Sequence, residues 1–304
     1  MKKQALLLTI LMFLSKIIGF LRESILSYYY GITEYADIYF ISNSIPTAVF
    51  GFVAAGLVST FIPIYSRVVH REGEDRAKDY LDNILTIVFF ITLIFTVLGL
   101  LYTEPLVKLF APGFTGKTLE TTYTFVRISL FAILTNGIFS ILGGYHQYHD
   151  RFYVNPVAGF MMNFVTISTI IISAKTDPIL LAYGIVLSSL AQMLVVYYFA
   201  KKKGDYHYRF KINLKDDYLK PMLIMAVPII LGASINQVNT VIDRRLATSI
   251  SEGAVATLNY GSKISDSVYA LFVTTITTVM YPALTKQAAK NDFDSLKATV
   301  TNIM

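Results

Sequence analysis

Apolar residues run along this chain in long blocks and not in alternation. Blocks at about residues 5–30, 36–66, 84–110, 119–145, 154–174, 178–200, 218–247 and 253–285 are separated by short polar stretches. A membrane-spanning helix needs roughly 20 predominantly apolar residues, and every block supplies them. Several blocks are longer, so their helices are expected to tilt or to reach past the bilayer. A membrane barrel would show short alternating strands, so the pattern predicts an all-α polytopic membrane protein. The first block follows Met1-Lys2-Lys3 as the core of a secretory signal would. It continues beyond Lys16 without a small-residue cleavage pattern and reads as an uncleaved first span.

Composition agrees with this reading. The 304 residues are 54% apolar and 15% charged, whereas a soluble domain carries about a quarter charged residues, which excludes most soluble enzymes. Cysteine is absent, which excludes disulfide scaffolds, thiolate zinc sites and cysteine nucleophiles. The four histidines, His70, His146, His149 and His207, lie in or beside polar stretches and read as interfacial residues, not metal ligands. No metal or cofactor is expected, and no G-x-x-x-x-G-K pattern is present to cradle ATP.

The net charge of +6 raises the question of nucleic acid, and the placement of the charges answers it. Lys2, Lys3, Arg67, Arg71, Arg76, Lys78, Arg151, Lys201, Lys202, Lys203, Arg209, Lys211, Lys215, Lys220, Lys286, Lys290 and Lys297 fall at the N-terminus or in the even-numbered connections. Only Lys108, Lys117 and Lys175 fall in the odd ones. Basic residues concentrate on the cytoplasmic side of membrane proteins, so the N-terminus is expected to be cytoplasmic. The basic surplus then faces anionic membrane lipid, and no nucleic-acid partner is expected.

The chain also repeats itself. A shift of 219 residues lays Ile62-Pro63-Ile64-Tyr65-Ser66-Arg67 on Tyr281-Pro282-Ala283-Leu284-Thr285-Lys286, Asp75 on Asp294, Lys78 on Lys297 and Asn83-Ile84 on Asn302-Ile303. Six spans separate the copies, an even number, so the repeats share one orientation about an axis along the membrane normal. The expected organisation is a six-helix transmembrane lobe over residues 1–200, a basic cytoplasmic linker over 201–217, and the start of a second lobe over 218–304. That second lobe would contribute two spans and the beginning of a third, its remaining helices lying beyond Met304.

Six cations and four anions fall inside spans: Lys16, Arg22, Arg127, Arg244, Arg245 and Lys263, with Glu23, Asp37, Asp243 and Asp266. A charge facing lipid costs roughly 2.5–3.5 kcal/mol even on the gentler scales, so these side chains should face a bundle interior or a watery cavity. Arg127, Arg244 and Arg245 lie close enough to span ends to snorkel. Lys16 and Lys263 do not. The cation surplus fits a cavity for a negatively charged substrate, in which the planar fork of Arg22 suits two phosphate oxygens at once. Pro46, Pro228, Gly51 and Gly56 would bend helices or let them approach closely.

Two blocks of residues resemble a known family. Ser15-Lys16-Ile17-Ile18-Gly19-Phe20-Leu21-Arg22-Glu23, Gly31, Ala36-Asp37-Ile38-Tyr39-Phe40, Ile45-Pro46 and Phe61-Ile62-Pro63 resemble the opening of the MurJ/MviN lipid II flippases. Asn236-Gln237-Val238-Asn239-Thr240-Val241-Ile242-Asp243-Arg244 and Leu258-Asn259-Tyr260-Gly261-Ser262-Lys263 resemble their seventh and eighth helices. The resemblance implies a fourteen-helix protein of the multidrug/oligosaccharidyl-lipid/polysaccharide exporter superfamily, with two six-helix lobes around a cationic cavity. It also implies the function: an undecaprenyl-pyrophosphate-linked peptidoglycan precursor carried from the cytoplasmic to the outer leaflet of a bacterial inner membrane by alternating access, with no bond made or broken. The implied substrate-binding residues are Lys16, Arg22, Lys263, Glu23, Asp37, Asp243 and Arg244, with Lys16 and Lys263 standing where the family usually has arginine. Many members carry an Arg-Arg pair and a Glu before the glycine of the second helix, where this chain reads Phe50-Gly51-Phe52-Val53-Ala54-Ala55-Gly56. Rival readings are a flippase for another undecaprenyl-pyrophosphate-linked oligosaccharide, a drug/cation antiporter of the same superfamily, and a non-transporting membrane scaffold.

Overall fold

The computed structural model describes residues 2–204, 206–266 and 269. They fall into two compact units, Met1–Leu258 and Asn259–Met304. Among the described residues all regular structure is helical. The helices are α1 (Lys2–Tyr30), α2 (Glu34–Glu72), α3 (Glu74–Leu101), α4 (Thr103–Phe110), α5 (Gly116–Ser129), α6 (Ala132–Tyr148), α7 (Val154–Ser173), α8 (Leu180–Gly204) and α9 (Leu219–Thr248). A further helix opens at residue 254. Among the described residues five spans are long and apolar enough to cross a membrane: α3, α5 with α6, α7, α8 and α9, and the two halves of α2 together make a sixth. The second copy of the repeat, over residues 281–304, and most of the expected eighth span lie outside the described residues.

The helices run back and forth, so the first unit has two ends. One carries the turns at Gly73 and at 149–153 and the non-helical segment 206–218; it holds the basic connections and is called the basic end. The opposite end carries the turns at 31–33, 111–115, 174–179 and 249–253. α2 is the central element, packing against α3, α5, α6 and α9, while α1 packs on α7, and α8 on α6 and α7.

At 39 residues α2 is about 58 Å long, well beyond a bilayer core, and it bends by 42° between Gly51 and Gly56. Pro46, one turn earlier, lacks the N–H that would bond the carbonyl of Ser42. The hydroxyl of Ser129, at the end of α5, donates to that carbonyl instead at 2.7 Å. Past the bend α9 crosses very closely: a Cβ at Gly56 would meet Ile230 at 2.5 Å, and one at Gly51 would meet Gln237 at 2.6 Å. The glycines of this helix therefore serve close approach, as glycines do in membrane bundles. α2 and α3 are joined by Gly73 alone, at φ 87°, a left-handed conformation that a Cβ would strain.

Three element boundaries differ from the apolar blocks. α3 begins at Glu74, ten residues before its block, because the polar side chains of its first turns have partners in the segment 206–218. The same block breaks at Tyr102 into α3 and the short α4. The block 119–145 breaks at Leu130–Phe131 into α5 and α6, which lets Ser129 face α2.

The core at the basic end is aromatic. Phe61 stacks on Tyr80 with centroids 6.3 Å apart, and Tyr65 meets Tyr145 edge-on at 5.9 Å. His146, read from the sequence as interfacial, is fully buried here, its Nε2 donating to the carbonyl of Val196 on α8 at 2.8 Å.

Candidate functional site

A burial-tolerant cation needs an acceptor on every side that water has left. Arg22, two-thirds of the way along α1, has two. Its guanidinium donates to Glu23 Oε1 at 2.5 Å and to Asn163 Oδ1 on α7 at 3.2 Å. The remaining face of Arg22 lines a cavity of about 210 Å³ inside the first unit, walled by α1, α2, α6, α7 and α8. Arg22 is the charged residue of the lining; Asn43, Asn136, Thr166, Ser188, Ser189 and Gln192 supply neutral hydrogen-bonding groups. Such a chamber presents a fixed guanidinium and many hydroxyl and amide groups in a low-dielectric setting, where a charge-assisted bond to an anion is strengthened. Glu23 Oε2 is buried with no hydrogen-bond partner among the described residues, which leaves one carboxylate oxygen beside Arg22 available.

The other residues singled out in the sequence occupy different places. Lys16 lies on the exposed face of α1. Asp37 is buried at the opposite end of α2, where its carboxylate accepts the backbone N–H groups of Gly253 and Ala256, each at 2.7 Å. It thus satisfies the first turn of the helix opening at 254, whose positive end favours a carboxylate. Arg244 is half-buried on α9 and donates from Nε to Ser44 Oγ on α2 at 3.2 Å, while its neighbour Asp243 is exposed. Lys263 and Asp266 stand three apart on the helical residues 259–266 of the second unit.

The opposite end of the first unit is closed. Besides the Asp37 contacts, Glu34 receives the Thr118 hydroxyl at 2.8 Å and its N–H reaches Glu252 at 3.2 Å. The turn at Gly113 lies so close to the end of α9 that a Cβ there would sit 1.9 Å from the Thr248 carbonyl oxygen.

Sequence reasoning passed over Asn163, Ser44 and the polar lining of α8. A signal existed for some of them: Ser188, Ser189 and Gln192 recur three or four apart within an apolar span, as do Asn163 and Thr166, which puts each set on one helix face.

The fold and the cavity define a multi-pass helical membrane protein with a polar, singly cationic chamber inside its bundle. The family model described as lipid II flippase MurJ matches residues 26–304, and the chain belongs to that family. It is 24% identical over 294 residues to a probable lipid II flippase MurJ of Buchnera aphidicola subsp. Baizongia pistaciae, and 25% identical over 292 residues to the lipid II flippase MurJ of Burkholderia cenocepacia. In both pairings 93% of this chain is covered and 56% of the relative, so the chain spans somewhat over half the length of these curated relatives. Among solved structures, a lipid II flippase MurJ in an inward closed conformation superposes with TM-score 0.78 at 22% identity, covering 94% of this chain and 59% of that one. A multidrug resistance MATE family transporter of the MOP superfamily, in an inward-facing conformation, superposes with TM-score 0.64 at 17% identity, covering 93% of this chain and 68% of that one. These likenesses agree on the fold.

Proposed function

We propose that the chain works within a lipid II flippase of the bacterial cytoplasmic membrane, moving an undecaprenyl-pyrophosphate-linked peptidoglycan precursor to the outer leaflet by alternating access, with its N-terminus cytoplasmic. Family membership supports the substrate class. The observation that carries the reading is Arg22, a guanidinium held by Glu23 and Asn163 on the edge of a polar chamber that is otherwise uncharged. A pyrophosphate cannot enter hydrocarbon unneutralised, and a planar guanidinium offers it two parallel N–H groups. Lys16 on α1 and Lys263 in the second unit, neither of them in the lining of this chamber, are the further point charges that the family resemblance implies for an anionic substrate. Residues 1–200 form the first lobe, 201–217 connect it, and 218 onward begins the second.

In this cycle the closed opposite end must open while the basic end closes. The Asp37 contacts oppose opening, because a hydrogen bond to a charged group contributes about 1.5–3 kcal/mol. Turning a closed-to-open ratio from 99:1 to 1:99 takes about 5.5 kcal/mol of preferential binding to the open form, a scale comparable with the two Asp37 bonds together. A substrate held by several charge-assisted contacts supplies free energy of that order.

The test is precursor translocation by the full-length protein in proteoliposomes. Arg22→Ala should reduce transport about ten- to a hundredfold, the loss of one charge-assisted contact, with membrane insertion unchanged. Arg22→Lys, which keeps the charge but not the fork, should fall between. Undiminished transport in the Lys16→Ala, Arg22→Ala, Lys263→Ala triple variant would overturn the anion-cavity reading.

A further inference from the structure

The connection between α8 and α9 is not a loose tether. Residues 206–218 lie as a strap along the first turns of α3: Tyr206 donates its hydroxyl to Asp82, Tyr208 pairs with Thr86 at 2.8 Å, and Lys211 reaches Asp79 at 2.6 Å. Asn213 and Asn83 exchange two hydrogen bonds, at 2.7 and 2.9 Å, and Asp216 is bonded to Arg76 at 2.7 Å. So many fastenings usually leave a segment's apolar side chains covered. Here the reverse holds: Phe210 is 71%, Ile212 51% and Leu214 74% exposed. Exposed Arg209 and Lys215 alternate with them, and exposed Lys201, Lys202, Lys203 and Lys220 flank them.

The strap's height in the molecule explains the combination. Both its ends are the ends of membrane helices, and its contacts at Asp82, Asn83 and Thr86 hold it where the apolar block of α3 begins. That is the level of the headgroups. Of its two acidic residues, Asp216 is neutralised by Arg76, and exposed Asp217 is outnumbered by Arg209 and Lys215 and by the flanking lysines. Unpaired cations interleaved with exposed aromatic and aliphatic side chains, fixed at that depth, match anionic lipid on both counts: charge for the headgroup, apolar surface for the acyl boundary. An acidic soluble protein would satisfy the cations but would have to displace the bilayer surface to reach them.

We propose that the strap 206–218 is a membrane-surface element that selects anionic phospholipid, with Phe210, Ile212 and Leu214 inserted at the headgroup boundary and Arg209 and Lys215 on the phosphates. This does not depend on what the cavity carries. These 304 residues contain no tryptophan, so Phe210→Trp, with any tryptophan outside them replaced by Phe, gives a single reporter at an exposed position. The variant is reconstituted in phosphatidylcholine vesicles containing phosphatidylglycerol, with bromine near the headgroup end of the acyl chains on one lipid species or the other, at equal mole fraction. Blue-shifted emission quenched more strongly by the brominated phosphatidylglycerol is expected. Each of Arg209→Gln and Lys215→Gln should lower that preference, by up to about fivefold in local enrichment per charge. Equal quenching by both lipids in the parent protein would overturn the selectivity. Water-like, unquenched emission would overturn the membrane placement altogether and leave the strap as a surface for a soluble partner.

Discussion

The two ends of the first unit are held together by opposite strategies. At the basic end the load is spread over many side chains: the ion pairs of Arg76 and Lys211, the Asn83–Asn213 exchange, the Tyr206–Asp82 bond and a stack of aromatic rings. At the opposite end it is concentrated on two carboxylates of one turn of α2, chiefly Asp37, which accepts backbone N–H groups 216 and 219 residues away, with Glu34 held by Thr118 and Glu252 beside it. A distributed contact loses little when one member is removed. A concentrated one can be released in a single step, which suits a contact that would break in the proposed transport cycle.

The comparison is most easily broken at Asp37. Asp37→Ala removes two charge-assisted bonds worth about 1.5–3 kcal/mol each and leaves the helix at 254 without its anion. These 304 residues contain no cysteine, so with any cysteine outside them replaced by Ser the pair Glu34→Cys and Glu252→Cys can report on the gap through a short bifunctional thiol reagent. Cross-linking should be high in the parent and should fall sharply with Asp37→Ala. Asp37→Asn, which keeps one acceptor oxygen, should fall about halfway. Unchanged cross-linking in Asp37→Ala would show that this end is held by distributed contacts after all.

At the basic end Arg76→Ala strips the partner from Asp216, whose side chain is only 2% exposed. Because Asp216 keeps the N–H of Tyr218 at 3.0 Å and Arg76 itself is partly hydrated, the cost should be about 1–3 kcal/mol. The readouts are a lower midpoint of thermal unfolding in micelles and faster tryptic cleavage at Lys211, with no change in the cross-link at the opposite end. Ser129→Ala, mid-bundle, orphans the carbonyl that Pro46 exposes and should cost about 1 kcal/mol while moving neither end's readout. A change at either end would mean that the α2 bend couples the two.

The smallest effect concerns His149, in the turn after α6. Burial pushes its pKa down, Glu74 opposes this, and Arg151 and Lys78 add to the depression. The unfolded chain therefore takes up the proton first. The contribution of neutral His149 to stability is complete above about pH 6.5 and is lost as the pH falls from there toward the folded value. His149→Gln should flatten the slope of the unfolding midpoint over that window. An unaltered slope would assign the pH dependence to other groups.

Much of the architecture was legible in the residues. Apolar block length reports the solvent each segment must meet, and that is a local property, so the helical spans and the division into a basic and a non-basic end could be read directly. Arg22-Glu23 was legible as well, since a charged pair within an apolar helix demands a partner wherever the helix sits. The partners were not. Asn163 is 141 residues from Arg22, and the same carboxylate chemistry makes Glu23 a companion of the cavity arginine and Asp37 a helix cap at the opposite end. Nothing in the residues around Asp37 announces this difference, because it is set by which helix ends α2 happens to meet. Likewise 201–217 reads from sequence as a basic linker, and only packing against α3 turns its polar side chains inward and leaves Phe210, Ile212 and Leu214 outward. The one-dimensional pattern determines which segments enter the membrane, since transfer from water acts on each segment alone. The pairing of polar groups was decided by the tertiary fold, because a buried hydrogen bond depends on both partners and on the helix crossing that brings them within 3 Å.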